Sequence, residues 1–555
     1  MDSTVQLALQ TIKQKKQAIV FCSSRASAEK TAEEIAVKIS SSQVSSYELA
    51  QENSLFCASV LSPPTKQCKR LAKILQKEIA FHHSGLSSKQ KERIENEFRS
   101  GNIKIICATP TLAIGLSLPV FRVICKSLKR FSGRFGMNWI PTLEYLQMAG
   151  RAGRPEYESF GEAIAIARNE GEKEEIYQRY ICGEPEEIYS KLNVEPVLRM
   201  YVLSLISSGV IKDTIQLKEF FSQTFWAHQF GDLAELEIIV EKIIILLQNW
   251  NFINKVVFET EQNIKSNIKQ PDPTSLFTSA LSLVSSSKSN KKKKLQASSI
   301  FRSELNLRAT TLGRRVSELY LDPLTASEII ERMEYAQNLL KKNISSNLTP
   351  FSFLQAISNT IEMQPLLRIK SKEQDQYTAV LLDNYDSLLQ SEPDVFSVDY
   401  PDFMNSIKTA HFFLEWINES TEDQLFNNMG IRPGEIRVKL ENADWLLYSW
   451  YELARVLNYK EQFSFLQKLR YRVKNGVKEE LLVLMKLKGI GRNRARKLFA
   501  GGIKTIQHVK NTNQSDLAAI IGQKIAASLK DQLGQKVEPI KKGKRTGQMS
   551  LNKFE

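Results

Sequence analysis

Short apolar runs alternate with stretches of helical periodicity over residues 1–170 of the chain. This alternation is typical of a parallel α/β sheet, in which buried strands are connected by helices. The pattern predicts one α/β domain over residues 1–180. Its predicted strands are Ala18–Cys22, Glu78–Phe81, Lys104–Cys107, Val123–Cys125 and Ala163–Ile166.

The pattern becomes helical beyond this domain. Helix-capping signals occur over residues 185–250, and strand-like runs follow at Trp250–Ile253 and Asn306–Arg308. Together they predict a winged-helix domain over residues 181–322. Between those runs lies a Ser- and Lys-rich insertion at about residues 260–300, whose low apolar content cannot offset the entropy of ordering it. The insertion is either an auxiliary phosphate contact or a solvated linker.

The rest of the chain divides into two helical units and a tail. Residues 323–460 are almost purely helical, residues 461–535 form a smaller helical unit, and residues 536–555 are a basic tail. A length of 555 residues is too great for one hydrophobic core. The sequence therefore predicts a multidomain protein with an α/β domain, a winged helix and all-α domains.

Composition narrows the class of protein. A net charge of +15 suggests a polyanionic partner, because cations set against phosphates release counterions, although charge alone is a weak signal. No apolar stretch approaches the roughly 20 residues that a bilayer requires, and the N-terminus lacks a secretory pattern. The six cysteines lack zinc or redox spacing, so we expect reduced, mostly buried thiols and no metal site.

The most informative stretch is Gln147–Pro155, which reads QMAGRAGRP. Arg151 and Arg154 lie three residues apart at a predicted turn, where both guanidinium groups can point to one place. The glycines between them let the backbone approach closely. This pattern suits an arginine finger directed at a γ-phosphate held by another domain. The alternative is a pair of surface arginines at a helix start.

Three further loops follow predicted strands in a fixed order. They are Ile19–Arg25, Phe81–Ser87 and Ala108–Pro119. The last of them carries hydroxyl groups and Gly115 where a parallel sheet presents its ligand loops. The order and spacing of all four stretches match motifs IV, IVa, V and VI of superfamily 2 helicases.

Within that superfamily, the chain resembles the archaeal Hjm helicases, which are superkiller-like DNA helicases related to the animal HELQ enzymes. The resemblance covers most of the chain and extends through Cys182–Glu187, Leu312–Val316, Tyr320–Thr325, Val477–Leu482 and Gly489–Gly491. It implies an ATP-dependent 3′-to-5′ DNA helicase that grips single-stranded and forked DNA in replication and repair. Residues 1–180 would be its second RecA-like motor domain, and the protein would be cytoplasmic and nucleoid-associated.

The resemblance also implies roles for individual motif residues. Those that face the nucleotide would be Gln147, Gly115, Gly150, Arg151 and Arg154, with Arg154 the better arginine finger. Those that hold the backbone of the tracking strand would be Arg25, Gly85, Thr109 and Thr111.

Residues Lys126–Trp139, between motifs V and VI, resemble the strand-separating hairpin of the family. A glycine-bearing turn flanked by aromatic and cationic side chains can wedge between base pairs and stack on the last pair. Phe131 and Phe135 are the wedge candidates. The alternative is an ordinary surface hairpin with one aromatic side chain in the core.

Residues Gly434–Trp445 resemble the start of the family's ratchet helix, which lies across the single-strand channel. Arg437 and Trp445 are eight residues apart and share a helical face, so a base could stack on the indole while the guanidinium holds a phosphate. The family often has a second cation where this chain has Val438, so the second basic contact is expected at Lys439. A core tryptophan is the alternative for Trp445.

Residues Lys486–Leu498 predict a helix-hairpin-helix motif. Its Gly489-Ile-Gly491 turn exposes backbone N–H groups beside a helix N-terminus, which is a phosphate site that does not depend on base sequence. The surrounding cations are Arg492, Arg494, Arg496 and Lys497. The turn and the cations coincide, which favours DNA binding over a solvated charge run.

The last eight residues resemble the peptide motif that binds the PCNA sliding clamp. The spacing of Gln548, Leu551 and Phe554 fits this motif. With that spacing, one turn of 3₁₀ helix presents two apolar side chains to a pocket on the clamp. Glu555 replaces the second aromatic residue, which should weaken binding. A flexible basic tail before the motif favours a functional role.

The sequence contains neither the phosphate-binding motif GxxxxGK[ST] nor an Asp-Glu-x-His motif. The residues that bind ATP and Mg²⁺ are therefore expected on a first RecA-like domain in a separate subunit, and the chain alone should not hydrolyse ATP. Two alternatives stay open. One is a non-catalytic, clamp-recruited DNA-binding regulator, and the other is an incomplete gene product.

Overall fold

The computed structural model describes residues 2–40, 44–61, 64–113, 118–131, 136–153, 160–192, 194–231, 233–254, 305–342 and 348–535. The chain forms two compact units. The first contains Met1–Ile188 and Ser420–Leu440, and the second contains Tyr189–Glu419 and Glu441–Glu555. Ser420–Leu440, which falls inside the predicted helical domain of residues 323–460, thus packs with the α/β domain instead.

A five-stranded parallel sheet forms the centre of the first unit, in the order β2-β3-β1-β4-β7. Val20 in β1 pairs with Cys107 in β3 and with Ile124 in β4. The sheet confirms the predicted α/β class, and each predicted strand lies within one residue of an observed one. The strands are β1 Ala18–Phe21, β2 Ile79–His82, β3 Ile105–Ala108, β4 Arg122–Cys125 and β7 Glu162–Ala165, with the hairpin strands β5 Lys129–Phe131 and β6 Met137–Trp139 outside the sheet.

Helices surround the sheet, and polar contacts tie several of them to it. The buried guanidinium of Arg122 at the start of β4 donates to Glu162 at 2.6 Å and to Thr11 at 2.9 Å, which joins an edge strand to the first helix. The helices of this part are α1 Ser3–Lys13, α2 Arg25–Lys38, α3 Tyr47–Ser59, α4 Lys66–Leu75, α5 Ser88–Arg99, α6 Thr142–Ala149 and α7 Glu170–Ile176, which a π turn follows at Tyr177–Ile181.

The second unit begins with the region predicted to be a winged helix. Its helices are α8 Glu195–Ser207, α9 Thr214–Ser222, α10 Phe225–Phe230, α11 Leu233–Asn249 and α12 Thr311–Glu318. Ile253, in the first predicted wing strand, forms a single antiparallel bridge with Ala309, one residue beyond the second predicted strand, and Asn306 in the second strand bridges instead to Asp213. The Ser- and Lys-rich insertion lies outside the described residues.

A helical region with a core of large aromatic residues follows. Phe353, Phe412 and Trp450 are fully buried in it. A buried ion pair joins it to α8, since the guanidinium of Arg199 donates to both carboxylate oxygens of Asp322 at 2.8 and 3.0 Å. The helices are α13 Pro323–Lys341, α14 Pro350–Ser358, α15 Gln374–Asp383, α16 Tyr400–Ile417, α17 Glu422–Met429, α18 Pro433–Val456 and α19 Phe463–Asn475.

The last described region has its own small core, which includes Leu484, Leu498, Leu517 and Leu529. Its helices are α20 Arg492–Ala500, α21 Ile506–Asn511, α22 Gln514–Ile521 and α23 Gln523–Gln532. Across the described residues of the whole chain, no helix combines the length and the apolar character needed to cross a membrane.

Gly313→Ala should destabilise the winged-helix region by at least about 2 kcal/mol, because the added methyl group overpacks a closed site. Gly313 in α12 lies against the backbone of Phe252, and a Cβ atom there would sit 1.8 Å from the Phe252 carbonyl oxygen. Differential scanning calorimetry measures the change. Gly171→Ala is the matched control, since a Cβ at Gly171 meets only ordinary contacts. Equal unfolding temperatures for the two variants would contradict this account.

Candidate nucleic-acid interface and motor loops

Three of the predicted motif loops leave the same edge of the sheet. The loops after β1, β2 and β3 do so because these strands are parallel neighbours. They carry Arg25, Gly85 and Thr109, respectively. This is the edge at which open α/β sheets bind their ligands. The fold thus collects three of the loops predicted to hold the DNA backbone.

The motif V loop begins with a pair of threonine hydroxyl groups. The Oγ1 atoms of Thr109 and Thr111 lie 2.9 Å apart, and the backbone N–H of Thr109 donates to the His82 carbonyl at 3.3 Å. Thr111 is exposed, and a 3₁₀ turn over Pro110–Ala113 follows the strand. Two neighbouring hydroxyl groups at an exposed strand end can donate to one phosphate.

Arg151 links motif VI to motif V. Its guanidinium Nη2 donates to the Ala113 carbonyl at the end of that 3₁₀ turn. The backbone is also tied, since Val120 N–H donates to the Arg151 carbonyl at 2.8 Å and Gly153 N–H donates to the Val120 carbonyl at 2.7 Å. Arg151 therefore holds two motifs together within its own domain, a role that its predicted use as an arginine finger did not include.

Two of the other predicted nucleotide-facing residues, Gln147 and Gly150, lie in α6 or at its end. Gln147 and Gly150 are exposed, and Gly150 ends the helix. Arg154, the better finger candidate, and Gly115 lie outside the described residues. The structure thus places Gln147 one helical turn before Arg151 on a surface open to a ligand.

Glu186 holds the start of α6, and sequence reasoning missed it. The residue before this helix is Pro141, whose side chain makes no cap hydrogen bond. The carboxylate of Glu186 accepts instead from Thr142 N–H at 2.6 Å and from Leu143 N–H at 3.1 Å. These N–H groups lower the pKa of Glu186. A cap 44 residues from its helix leaves no local sequence signal.

The hairpin between motifs V and VI is anchored at its base and carries an exposed aromatic side chain. Trp139 at its base packs against Tyr180 with ring centroids 6.0 Å apart, and the Lys129 ammonium lies 4.0 Å from the Trp139 ring centroid. Phe131 pairs with Met137 across the two strands, and 69% of Phe131 is exposed. Phe135 lies outside the described residues. The exposed ring of Phe131 suits the predicted wedge.

Arg25 and Gly85 contact the protein's own segment Ser420–Leu440, not an open surface. Arg25 forms an ion pair with Glu435. The Gly85 N–H donates to the His83 ring at 3.1 Å, and its carbonyl accepts from Gly434 N–H at 3.0 Å. Because both backbone groups of Gly85 are used, the predicted phosphate contact at Gly85 needs correction.

The predicted ratchet residues lie on one continuous helix, α18. Arg437 is exposed and its Nη1 donates to Ser88 Oγ at 3.2 Å. The expected contact at Lys439 needs correction, since the side chain is buried and burial lowers its pKa to about 8. Trp445 is half-buried, and its indole N–H donates to the Leu319 carbonyl at 2.9 Å, so only part of its ring can meet a base.

The helix-hairpin-helix turn has the predicted form. Gly489 has a φ of +84°, and a Cβ on Gly491 would meet open space, so the turn can approach a phosphate closely. Arg494 and Lys497 are exposed beside it, and Arg494 donates to the Gly489 carbonyl at 2.9 Å. A second helix pair, α22 and α23, is joined at Gly522 with a φ of +88°, and sequence reasoning missed this hairpin.

The other two predicted cations of this motif are engaged within the protein. Arg496 donates to both carboxylate oxygens of Glu419, at 2.6 and 2.7 Å, and pairs with Glu480 at 2.7 Å. The Arg492 guanidinium lies 4.9 Å from the centroid of the Trp416 ring. The prediction that Arg496 binds phosphate therefore needs correction, because two carboxylates already occupy its fork.

The predicted clamp-binding residues Gln548, Leu551 and Phe554 lie outside the described residues. Within the described part of the chain, no group of three or more His, Cys, Asp or Glu side chains is placed to hold a metal ion.

Three family models match the chain. They are a helicase conserved C-terminal domain over residues 2–156, an archaeal helicase domain 4 over residues 351–476, and a SAM-like helix-hairpin-helix tandem over residues 481–535. The ATP-dependent DNA helicase Hel308 of Methanococcus vannielii is 33% identical over 541 residues, which are 96% of this chain and 68% of that protein. The chain belongs to the Hel308 family of DNA helicases.

Other members of the Hel308 family are similarly related to the chain. The Pyrococcus horikoshii protein is 33% identical over 98% of this chain and 68% of its own length. The Pyrococcus abyssi protein is 34% identical over 97% of this chain and 67% of its own length. These relatives confirm the archaeal superfamily 2 helicase family predicted from motifs IV to VI, and the tandem model agrees with the second hairpin at Gly522.

Glu186→Ala should accelerate hydrogen exchange in the first turns of α6 by roughly five-fold, because two backbone N–H groups lose their acceptor. Since the folded pKa of Glu186 is lowered, the carboxylate cap is complete above its usual pKa of 4.5 and is lost as the pH falls through the folded value. Exchange detected by mass spectrometry measures this. Glu184→Ala is the control, and equal exchange in both variants would contradict the capping role.

Lys497→Ala should weaken DNA binding and reduce the slope of log K against log salt by about one, because one phosphate contact is lost. Arg496→Gln should instead lower the unfolding temperature, since its pairs with Glu419 and Glu480 are weakened. Fluorescence anisotropy at several salt concentrations and thermal unfolding measure the two effects. A larger loss of salt slope for Arg496→Gln than for Lys497→Ala would reverse our assignment.

Proposed function

We propose that this chain supplies the second motor domain and the DNA-gripping domains of an ATP-dependent 3′-to-5′ DNA helicase that translocates on single-stranded DNA at forks. The link between Arg151 and Ala113 carries the proposal. It joins the loop expected to touch the tracking strand to the segment expected to face the nucleotide. A motor requires such a connection, because nucleotide state must change the grip on DNA.

The positions of the predicted residues support a division of roles. Thr109, Thr111 and Arg437 would hold the DNA backbone, and Phe131 would separate the strands. Gly489 and Gly491 would bind duplex phosphates through backbone N–H groups, with Arg494 and Lys497 beside them. Trp445 would offer part of its indole to a base.

The nucleotide and its partner domain belong to the same proposal. ATP and Mg²⁺ would be bound mainly by a first RecA-like domain on a separate subunit, while Gln147 and Arg154 face the nucleotide from this chain. The exposed position of Gln147 fits this arrangement. ATP supplies the energy for translocation when it is hydrolysed. We include the PCNA clamp as a partner on the strength of Gln548, Leu551 and Phe554.

A reconstitution experiment tests the function. The chain alone should bind single-stranded DNA without hydrolysing ATP. With a polypeptide from the same organism that carries the Walker A and Asp-Glu-x-His motifs, it should show DNA-stimulated hydrolysis and unwind a 3′-tailed duplex in preference to a 5′-tailed one. ATP hydrolysis by the chain alone would overturn the division of labour. DNA binding without any gain from the added polypeptide would favour a non-catalytic regulator.

Phe131→Ala should reduce unwinding at least ten-fold in the reconstituted helicase and leave DNA-stimulated ATP hydrolysis unchanged, because a wedge acts on the duplex and not on the nucleotide. Asn138→Ala, an exposed polar change on the opposite hairpin strand, is the control. Gel-based unwinding and phosphate release measure the two activities. Equal loss in both variants would show that the hairpin acts through its overall shape and not through the ring of Phe131.

A further inference from the structure

A buried carboxylate on α2 is contacted by three separate parts of the first unit. The side chain of Glu29 is only 4% exposed. Its oxygens lie 3.1 Å from His83 Nε2, 2.5 Å from Arg70 Nη1 and 3.4 Å from Arg432 Nε. His83 belongs to the motif IVa loop, Arg70 to α4, and Arg432 to the segment that leads into α18. One acidic group thus joins three elements that are far apart in sequence.

The hydrogen bonds around His83 fix the direction of its ring. Gly85 N–H donates to Nδ1, so Nδ1 must be the unprotonated nitrogen and Nε2 must carry the proton that it donates to Glu29. The Gly85 carbonyl then accepts from Gly434 N–H at 3.0 Å. A continuous chain of hydrogen bonds therefore runs from Glu29 through the motif IVa loop to the first turn of α18.

The backbone at this joint leaves no space for a side chain. A Cβ atom on Gly434 would lie 2.0 Å from the Ser84 carbonyl oxygen and 2.7 Å from the Leu86 carbonyl oxygen. Arg25 pairs with Glu435, the next residue in the same first turn of α18. The close approach permits the Gly434–Gly85 hydrogen bond, and the two ion pairs fix the lateral position of the segment.

The ionised state of Glu29 suits a lasting contact between these three elements. Burial alone would raise its pKa, but the hydrogen bond from His83 and the charges of Arg432 and Arg70 outweigh burial and lower the pKa to about 2. Burial lowers the pKa of His83, against the opposing effect of Glu29. A neutral imidazole and an ionised carboxylate therefore persist at physiological pH.

We propose that Glu29 is a positioning residue for DNA binding: it fixes the start of α18 to the motif IVa loop, so that Arg437 is held beside Ser88 where the DNA backbone would pass. This inference rests on the proposed function, because it takes Arg437 to be a DNA contact. Glu29 touches no DNA itself. It acts through Arg432 and His83, which place the first turns of the helix.

The experiment compares Glu29→Gln, Arg432→Gln and the double variant in the full chain, with Glu33→Gln as the matched control. Glu33 lies one turn further along α2 and pairs with the same Arg70 at 2.6 Å. Hydrogen exchange is measured on peptides covering residues 430–440 and on peptides from β1 and β3. The Kd for a fluorescent single-stranded oligonucleotide is measured by anisotropy.

Glu29→Gln should speed exchange at residues 430–440 at least ten-fold, leave β1 and β3 unchanged and raise the Kd about five-fold. Arg432→Gln should do the same, the double variant should be no worse than either single variant, and Glu33→Gln should do neither. Faster exchange throughout the sheet, or faster exchange at 430–440 with an unchanged Kd, would overturn the positioning role. If the unsubstituted chain bound no oligonucleotide, the proposed function would fail, while exchange at 430–440 would still test the joint.

Discussion

In a parallel sheet every strand ends at the same edge, and the arrangement of the first unit depends on that constraint. Because β3 pairs in parallel with both β1 and β2, the loops that follow these three strands all leave at one edge. Residues from three distant parts of the sequence meet there. The Arg151–Ala113 hydrogen bond and the contacts of Glu29 both begin at this edge, so each requires the register of the sheet.

The sequence predicts those features whose cause is local. Each strand is marked by its own apolar run, and the helix-hairpin-helix turn is marked by Gly489 and Gly491, so both could be read directly. Glu186 could not be read as a cap, because its helix begins 44 residues earlier. The pairing of Arg496 with Glu419 could not be predicted for the same reason, because the two residues are 77 positions apart in the sequence.

The arginine and lysine side chains that are predicted to bind phosphate divide into two groups, according to how exposed they are. Arg25 and Arg496 match positions expected to bind phosphate, yet each forms an ion pair with a carboxylate of the chain itself. A guanidinium fork fits a carboxylate as well as it fits a phosphate, so residue type alone does not separate the two uses. Exposure differs between them: Arg25 and Arg496 are half-buried, whereas Arg437 and Lys497, for which we propose DNA contacts, are exposed.

The base of the hairpin and the start of α6 are contacted by the same segment of the chain. Trp139 ends the hairpin against Tyr180, whose hydroxyl donates to the Ile140 carbonyl at 2.7 Å, and Glu186 then caps the helix two residues later. The segment Tyr177–Glu186 therefore contacts both the base of the hairpin and the start of α6. Only Ile140 and Pro141 separate the last hairpin strand from α6 along the chain, so a displacement of this segment would affect both. The wedge that we propose needs such an anchor, because the force that opens a base pair must be borne by the domain and not absorbed by the hairpin.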